Sequence, residues 1–286
     1  MLTEQLIDTG QVQLNVATGP KSGPPLLLLH GVTRRWQDFA TLLPCLLPRW
    51  QVHAVDFRGH GRSARSPGSY LVVDYVKDVI WMLKNQIQGP AVLLGHSLGA
   101  LVAGAVAAAV PDRVRAIVLE DPPSVPLIQY IRQTPFFALF QGFRELAQGK
   151  HSVAETARRM AELEIPTIDG KALVKMSVLR DPTHLRFGAR CLQDMDPEVL
   201  APLLEGRWLE GYDLDGYVAG IRCPVLLLRG EEALGGMLPR PAAEYFAHKV
   251  ADCTLIDFPN VGHLIHWMQP EKAARHVTEF LESLEG

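Results

Sequence analysis

The chain has 286 residues and carries 28 basic against 31 acidic side chains, a formal net charge of −3 at pH 7. This length can bury a substantial core in one large α/β domain, with or without an insertion. The near balance of charge, without a long run of either sign, excludes nucleic acid and an anionic membrane surface as expected partners. We therefore expect a site for a small-molecule substrate, while the oligomeric state is left open.

The N-terminal residues, the apolar stretches and the cysteines argue against a secreted protein, a membrane-spanning protein and a zinc or redox protein. The N-terminal residues have neither a basic nor an apolar region, so we expect no secretory signal and a cytoplasmic location. The longest apolar stretches, residues 24–29 and 100–110, are shorter than the roughly 20 residues that a membrane span needs. The four cysteines lack the spacing of a zinc or redox motif, so we expect them to be small, buried apolar side chains.

Taken in chain order, the hydrophobic pattern predicts strands that alternate with helices. An antiparallel hairpin is predicted around Thr9 and Gly10, where apolar and polar residues alternate on both sides. Short apolar runs predict further strands at residues 25–29, 52–55, 91–94, 116–120, 224–229 and 254–258. Runs that are apolar throughout are typical of strands covered on both faces. The sequence thus predicts an α/β fold, with a mostly parallel eight-stranded sheet and helices on both faces.

Helical patterns separate these strands. Apolar side chains at helical spacing predict an amphipathic helix between Val72 and Ile87, and a final helix that begins at Pro270. From residue 123 to residue 221 the pattern indicates helices but no strand. We therefore predict an all-helical lid inserted between the sixth and seventh strands of the sheet.

The predicted domain organisation follows from this break in the pattern. Residues 1–122 and 222–286 are expected to form one core, and residues 123–221 the lid. No internal repeat and no low-complexity segment is present in the sequence.

Residues 95–99 read Gly-His-Ser-Leu-Gly and join a predicted buried strand directly to a helix of small residues. In a Gly-x-Ser-x-Gly turn the serine has a strained backbone, and the two glycines allow helix and strand to pack closely. This pattern predicts that Ser97 is a nucleophile at the carboxyl edge of the sheet, with the positive end of the helix behind it.

A serine hydroxyl is a weak nucleophile and needs a base that a third group orients. His263 follows the last predicted strand directly, where a loop can bring its imidazole over the sheet edge. A lone loop histidine is usually satisfied by solvent, but this position favours the role of base. His266 and His276 are poorer candidates, and a structural role is expected for His60 and His96, which lie in turns.

Four motifs stand at the ends of predicted strands: His30-Gly31, Asp56-Phe57-Arg58-Gly59-His60-Gly61-Arg62-Ser63, Gly95-His96-Ser97-Leu98-Gly99 and Gly262-His263. In this order they resemble the α/β-hydrolase family over nearly the whole chain outside the predicted lid. The resemblance implies that Ser97 is the nucleophile, that His263 is the base, and that the N–H groups of Val32 and Leu98 form the oxyanion hole. Such chemistry requires no metal and no organic cofactor.

The acid departs from the commoner pattern of that family. Its usual position is three residues after Gly230, and the residue there is Ala233, which has no carboxylate. A minority of the family carries the acid after the strand that follows the nucleophile helix, where this chain has Asp121. An aspartate before two prolines can also simply cap a turn. We expect Asp121 to orient the base, with Glu232 as the alternative acid.

The predicted lid carries a cluster of aromatic side chains. Phe136, Phe140 and Phe143 share one side of a predicted helix. This side either holds the lid on the core or lines an apolar substrate pocket. Trp36, in the loop after the first motif, could line the same pocket.

These observations predict a serine hydrolase, foremost a carboxylesterase that acts on small or medium apolar or aromatic esters through an acyl-enzyme. Arginines such as Arg132 and Arg190 could still bind a carboxylate. The same triad serves C–C bond, lactone or thioester hydrolysis and acyl transfer to peroxide. A serine at position 97 disfavours an aspartate-nucleophile dehalogenase or epoxide hydrolase. The alternative from another class is a ligand receptor that keeps the hydrolase fold with little turnover.

Overall fold

The computed structural model describes residues 2–166 and 173–284. Its strands are β1 (Thr3–Asp8), β2 (Gln13–Thr18), β3 (Pro25–Leu29), β4 (Gln51–Val55), β5 (Ala91–His96), β6 (Val114–Glu120), β7 (Glu164–Pro166), β8 (Leu173–Lys175), β9 (Val225–Gly230) and β10 (Cys253–Phe258).

The α-helices lie between these strands and after the last one. They are α1 (Leu43–Leu46), α2 (Val72–Asn85), α3 (Leu98–Ala109), α4 (Val125–Gln129), α5 (Phe136–Gln148), α6 (Val153–Ala161), α7 (Met176–Leu179), α8 (Pro182–Gln193), α9 (Ala201–Leu204), α10 (Leu214–Gly220), α11 (Arg240–Lys249), α12 (Ile265–Met268) and α13 (Pro270–Ser283). Short 3₁₀ helices span Trp36–Thr41, Pro111–Arg113, Ile131–Gln133, Pro197–Leu200 and Glu232–Leu234.

Eight strands form one twisted sheet in the order β1-β2-β4-β3-β5-β6-β9-β10. The strands from β4 to β10 in this order pair in parallel, whereas β1 pairs with β2 and β2 pairs with β4 in antiparallel fashion. The predicted fold class, a mostly parallel eight-stranded sheet, is therefore confirmed. The carboxyl ends of β5, β6 and β9 are neighbours at one edge, so the loops after these strands meet there.

The sheet is buried on both faces because its central strands are apolar throughout. On β3, Leu27 and Leu29 pack against the α2 and α3 side, whereas Leu26 and Leu28 pack against the α1 and α13 side. All four leucines are fully buried. This alternation explains why the central strands show no polar face in the sequence.

The helix α3 comes directly after the central strand β5 and is buried from Leu98 to Ala107. Its side chains are mostly alanine, glycine and valine, so its backbone can lie close to the strands. Within the part of the chain that the structure describes, no helix combines the length and apolarity required to cross a membrane.

Between β6 and β9 the chain forms seven of the α-helices and, in addition, the antiparallel pair β7 and β8. The expectation of an all-helical lid is thus wrong in this detail. Each of these strands has only three residues, too few for a period of two to be recognised in the sequence. Residues 167–172 of the predicted lid lie outside the described residues, and the lid boundaries stay a prediction.

Candidate active site

Ser97 lies at the turn between β5 and α3, at the carboxyl edge of the sheet. Its backbone has φ 55° and ψ −115°, which is a strained conformation for a residue with a side chain. A Cβ atom at Gly99 would overlap with the carbonyl of Leu29, and one at Gly95 would overlap with the carbonyl of Gly99. Only glycine fits at both positions, which is why the turn can be so tight.

The amides expected to form an oxyanion hole lie on two adjoining loops. Leu98 is the first residue of α3, so its N–H belongs to the amides at the positive end of that helix. Val32 follows Gly31, where an added Cβ would lie 3.2 Å from the Cβ of Ser97. The loop after β3 and the serine turn are therefore in contact, and the oxyanion role of both amides stays a prediction.

His30 connects the loop after β3 with the loop after β4. Its Nδ1–H donates to the carbonyl of Gly31 at 2.8 Å, and its Nε2 accepts from the N–H of Phe57 at 2.9 Å. Burial lowers the pKa of this imidazole to about 4, so the ring is neutral at pH 7. These two partners fix its tautomer and hold the loop that contains Val32.

Asp121 follows β6 directly and is fully buried, with a positive φ of 44°. Its Oδ2 accepts from Nδ1 of His263 at 2.7 Å and from the N–H of Met237 at 2.8 Å. Its Oδ1 accepts from the N–H of Gly230 at 3.1 Å. Because Nδ1–H of His263 donates to the carboxylate, Nε2 is the ring nitrogen that can accept a proton.

The alternative acid lies elsewhere. Oε2 of Glu232 accepts from Nη2 of Arg229 at 3.0 Å and from the N–H of Arg240 at 3.3 Å. The side chain of Glu232 is 43% exposed. The structure therefore brings Asp121, and not Glu232, to the imidazole of His263.

His96 contributes a contact that the sequence did not reveal. Its Nε2–H donates to the backbone carbonyl of His263 at 3.0 Å, and the two ring centroids are 4.6 Å apart. Burial lowers the pKa of His96 to about 4, so it is a neutral donor. The residue before the serine thereby anchors the loop of the histidine. The sequence assigned it to a turn, because its partner lies 167 positions away.

A second carboxylate and imidazole pair is buried on the other side of the sheet edge. Both oxygens of Glu120 lie 2.8 Å from Nδ1 of His266. Nε2 of His266 donates to the carbonyl of Asp38 at 3.1 Å, and Oδ1 of Asp38 accepts from the indole N–H of Trp267 at 2.8 Å. Burial would lower the pKa of His266, but Glu120 and Asp38 raise it to about 10. His266 is therefore a buried cation, and its partner Glu120 faces away from His263.

Ser97 and His263 line one cavity of about 310 Å³. Phe136, Phe140 and Phe143 of helix α5 are among its other lining residues. Trp36 is not among them, because its 3₁₀ helix packs it against the core cluster on the α1 and α13 face. The aromatic helix therefore faces the serine, whereas the tryptophan supports the opposite face of the sheet.

The arginines of this cavity are not those named from the sequence. Arg132 donates its Nε to the carbonyl of Leu204 at 3.1 Å, and Arg190 pairs with Asp194 at 2.8 Å. Arg34 and Arg180 line the cavity instead. Neither stands in a recognisable motif, so only the fold brings them to the site.

Comparisons with known proteins agree with this architecture. The model of the alpha/beta hydrolase fold family matches residues 24–167. The chain is 27% identical, over 97% of its length and 94% of the other protein, to 2-(acetamidomethylene)succinate hydrolase of Mesorhizobium japonicum. It is 28% identical, over 91% of its length and 95% of the other, to pimeloyl-[acyl-carrier protein] methyl ester esterase of Chromobacterium violaceum. The crystal structure of E-2-(acetamidomethylene)succinate hydrolase superposes with a TM-score of 0.76 at 22% identity, covering 99% of this chain and 100% of that one.

Proposed function

Because this chain belongs to the alpha/beta hydrolase family, we propose that it is a serine hydrolase that cleaves carboxylic esters through an acyl-enzyme. The observation that carries the proposal is the 2.7 Å contact between Nδ1 of His263 and Oδ2 of Asp121, in a cavity that Ser97 also lines. A serine, an imidazole and a buried carboxylate are the three groups that acyl transfer requires.

In the first half of the reaction, Nε2 of His263 takes the proton of the Ser97 hydroxyl as Oγ attacks the ester carbonyl. The carbonyl oxygen becomes negative, and the amides of Val32 and Leu98 donate to it. Asp121 stabilises the imidazolium that forms. Collapse of the tetrahedral intermediate expels the alcohol, which receives the proton from His263.

In the second half, His263 takes a proton from water, and the water attacks the acyl-enzyme. The same two amides stabilise the second oxyanion, and removal of one such donor typically costs about 3 kcal/mol of transition-state stabilisation. The acid is released, and the proton returns to Ser97.

The lining of the cavity favours a substrate with a small or medium-sized apolar or aromatic acyl group. Most of its lining is apolar, and Phe136, Phe140 and Phe143 form one wall. We further propose that residues 123–221 act as the lid over a core of residues 1–122 and 222–286. The relative named as a methyl ester esterase supports ester hydrolysis as the reaction.

A fluorophosphonate label followed by peptide mass spectrometry tests the nucleophile. We expect one adduct on the peptide that contains Ser97, and none in the Ser97→Ala variant. A panel of 4-nitrophenyl esters, a lactone and a thioester, measured on the unmodified protein, then tests the bond type. Labelling without turnover of any substrate class would favour the ligand receptor instead, and lack of any adduct on Ser97 would overturn the hydrolase.

A further inference from the structure

The polar part of the cavity is unusual for an apolar ester pocket. Among the described residues that line it, Arg34 and Arg180 are the cationic side chains, and there is no aspartate or glutamate. Guanidinium groups next to apolar walls are costly unless an anion neutralises them. The two arginines therefore need a partner of opposite charge.

Arg34 has one hydrogen-bonding nitrogen left over. Its Nη2 donates to Nε2 of His184 at 3.2 Å, and its Nε lies 3.7 Å from Oδ1 of Asp38. Its Nη1 is buried and has no hydrogen-bond partner among the residues that the structure describes. A Cβ added at Gly188 would lie 3.7 Å from this Nη1, an ordinary van der Waals distance, so Gly188 lies directly beside the unpaired nitrogen.

Arg180 lies on the side of the cavity formed by the segment between β6 and β9. Its Nη1 donates to the carbonyl of Leu179 at 2.8 Å. Within residues 2–166 and 173–284, no carboxylate forms an ion pair with it. Burial, together with the charge of Arg34, lowers the pKa of Arg180 to about 10. The two cations thus repel each other across the cavity that they line.

The neighbouring histidine adds no charge. Burial, together with Arg34 and Arg180, lowers the pKa of His184 to about 3, so its imidazole is neutral at pH 7. Asp38 shares its carboxylate between Arg34, His266 and Trp267, so it does not neutralise both arginines. One positive charge at this end of the cavity is left without a described counter-charge.

We propose that the substrate carries a free carboxylate in addition to the ester, and that Arg34 and Arg180 bind this carboxylate inside the cavity. This inference rests on the proposed function: the substrate is still a carboxylic ester, but its acyl group is that of a half-ester of a short dicarboxylic acid, with an apolar chain that ends in a carboxylate. The chain between the two carbonyl groups lies against the apolar wall of Phe140 and Met160. A purely apolar acyl group would leave Nη1 of Arg34 unpaired and one of the two positive charges without a described counter-charge.

The decisive experiment measures binding without turnover. The Ser97→Ala protein is titrated by calorimetry with the monomethyl esters of succinate, glutarate, adipate and pimelate, and with the corresponding dimethyl esters. We expect at least one half-ester to bind about tenfold to a hundredfold more tightly than its diester, as a charge-assisted hydrogen bond predicts. Arg34→Gln and Arg180→Gln, each in the Ser97→Ala background, should abolish this preference, because each should weaken half-ester binding by a larger factor than diester binding.

Arg190→Gln is the matched control, since Arg190 is a half-exposed arginine outside the cavity and should keep the full preference. Arg34→Lys keeps the positive charge but loses the planar set of guanidinium N–H donors, so it should keep part of the preference for half-esters. If circular dichroism shows that Arg34→Gln does not fold, Arg180→Gln decides the question.

Equal affinity for half-esters and diesters, or undetectable binding of every half-ester, overturns the carboxylate site. An equal loss in Arg190→Gln overturns it as well. If the protein hydrolyses neutral esters and shows no preference for half-esters, the esterase proposal is kept and only the carboxylate site is overturned. Half-ester preference in a protein that hydrolyses no ester supports the carboxylate site and removes the esterase proposal.

Discussion

Oδ2 of Asp121 lies 2.7 Å from Nδ1 of His263, although 142 positions separate the two residues along the chain. The same carboxylate accepts from the amides of Gly230 and Met237, which belong to the end of β9 and the loop after it. In the commoner arrangement this loop carries the acid itself. Here its backbone amides hold a carboxylate that comes from the neighbouring strand β6, so the imidazole still meets an acid at the same edge of the sheet.

Asp121→Asn should abolish most of the activity while the protein stays folded. An asparagine side chain can present its NH2 group to Nδ1 and carries no charge, so the imidazole loses its productive tautomer and the imidazolium is no longer stabilised. We expect kcat for 4-nitrophenyl butyrate to fall by about 10⁴-fold, with a much smaller change in KM. Steady-state kinetics, with circular dichroism to establish folding, measure this effect.

Glu232→Gln is the matched control for that variant. Glu232 is 43% exposed and pairs with Arg229, so its loss should leave kcat within about twofold of the parent. A large loss of kcat in Glu232→Gln, together with a fully active Asp121→Asn, would show that the acid has been assigned to the wrong residue.

Two glycines of α3 should respond to alanine in opposite ways. A Cβ at Gly99 overlaps with the carbonyl of Leu29, so Gly99→Ala should lower the free energy of unfolding by about 2 kcal/mol or more. A Cβ at Gly104 would have no heavy atom within 4 Å from any described residue outside the backbone of its own helix, so Gly104→Ala should raise the free energy of unfolding by about 0.5–1 kcal/mol. Urea unfolding measures both values, and destabilisation of similar size in the two variants would contradict the close contact at Gly99.

The elements that the sequence predicted well depend on local patterns. Continuous apolar runs predicted β3 and β5, and the small residues after Ser97 predicted α3. Asp121 could be proposed because a minority of the resembled family carries its acid after this strand, and because Ala233 has no carboxylate at the usual position. The strands and α3 needed only the periodicity of one element, whereas the acid needed the resemblance as well.

The features that the sequence did not predict depend on contacts between distant elements. Glu120 and His266 are 146 positions apart, and neither stands in a pattern that indicates the other. Trp36 was expected in the pocket because it follows the first motif, but the 3₁₀ helix Trp36–Thr41 packs it on the opposite face. Arg34 and Arg180 line the same cavity although 146 positions separate them along the chain, and neither stands in a pattern that indicates the other.

Because Glu120 and His266 form a buried pair, the free energy of unfolding should fall as the pH rises from about 6.5 towards 10. The pKa of His266 is raised to about 10 in the folded protein, against about 6.5 in the unfolded chain. Its stabilisation is therefore fully present below pH 6.5 and is lost as the pH rises through 10. Glu120→Gln should lower the free energy of unfolding by about 3 kcal/mol at pH 6, and this difference should shrink towards pH 10.

Urea unfolding of both proteins at a series of pH values from 6 to 10 measures that difference. Glu279→Gln removes one side of an exposed ion pair with Arg275 and serves as the control, with an expected change below about 0.5 kcal/mol. A difference between Glu120→Gln and the parent protein that stays constant up to pH 10 would mean that His266 is not the buried cation described above.

Substitutions in the cavity wall and in the core on the opposite face of the sheet should have different effects on KM. Phe140 lines the cavity and contacts Phe143 edge to face, with ring centroids 6.2 Å apart. Phe140→Leu removes an aromatic contact of about 1 kcal/mol, so KM for 4-nitrophenyl phenylacetate should rise about fivefold. Trp36→Phe lies on the other face of the sheet, so it should lower the unfolding temperature but leave KM within about twofold. An equal rise of KM in both variants, with the fold of each intact by circular dichroism, would contradict the placement of Trp36 outside the substrate pocket.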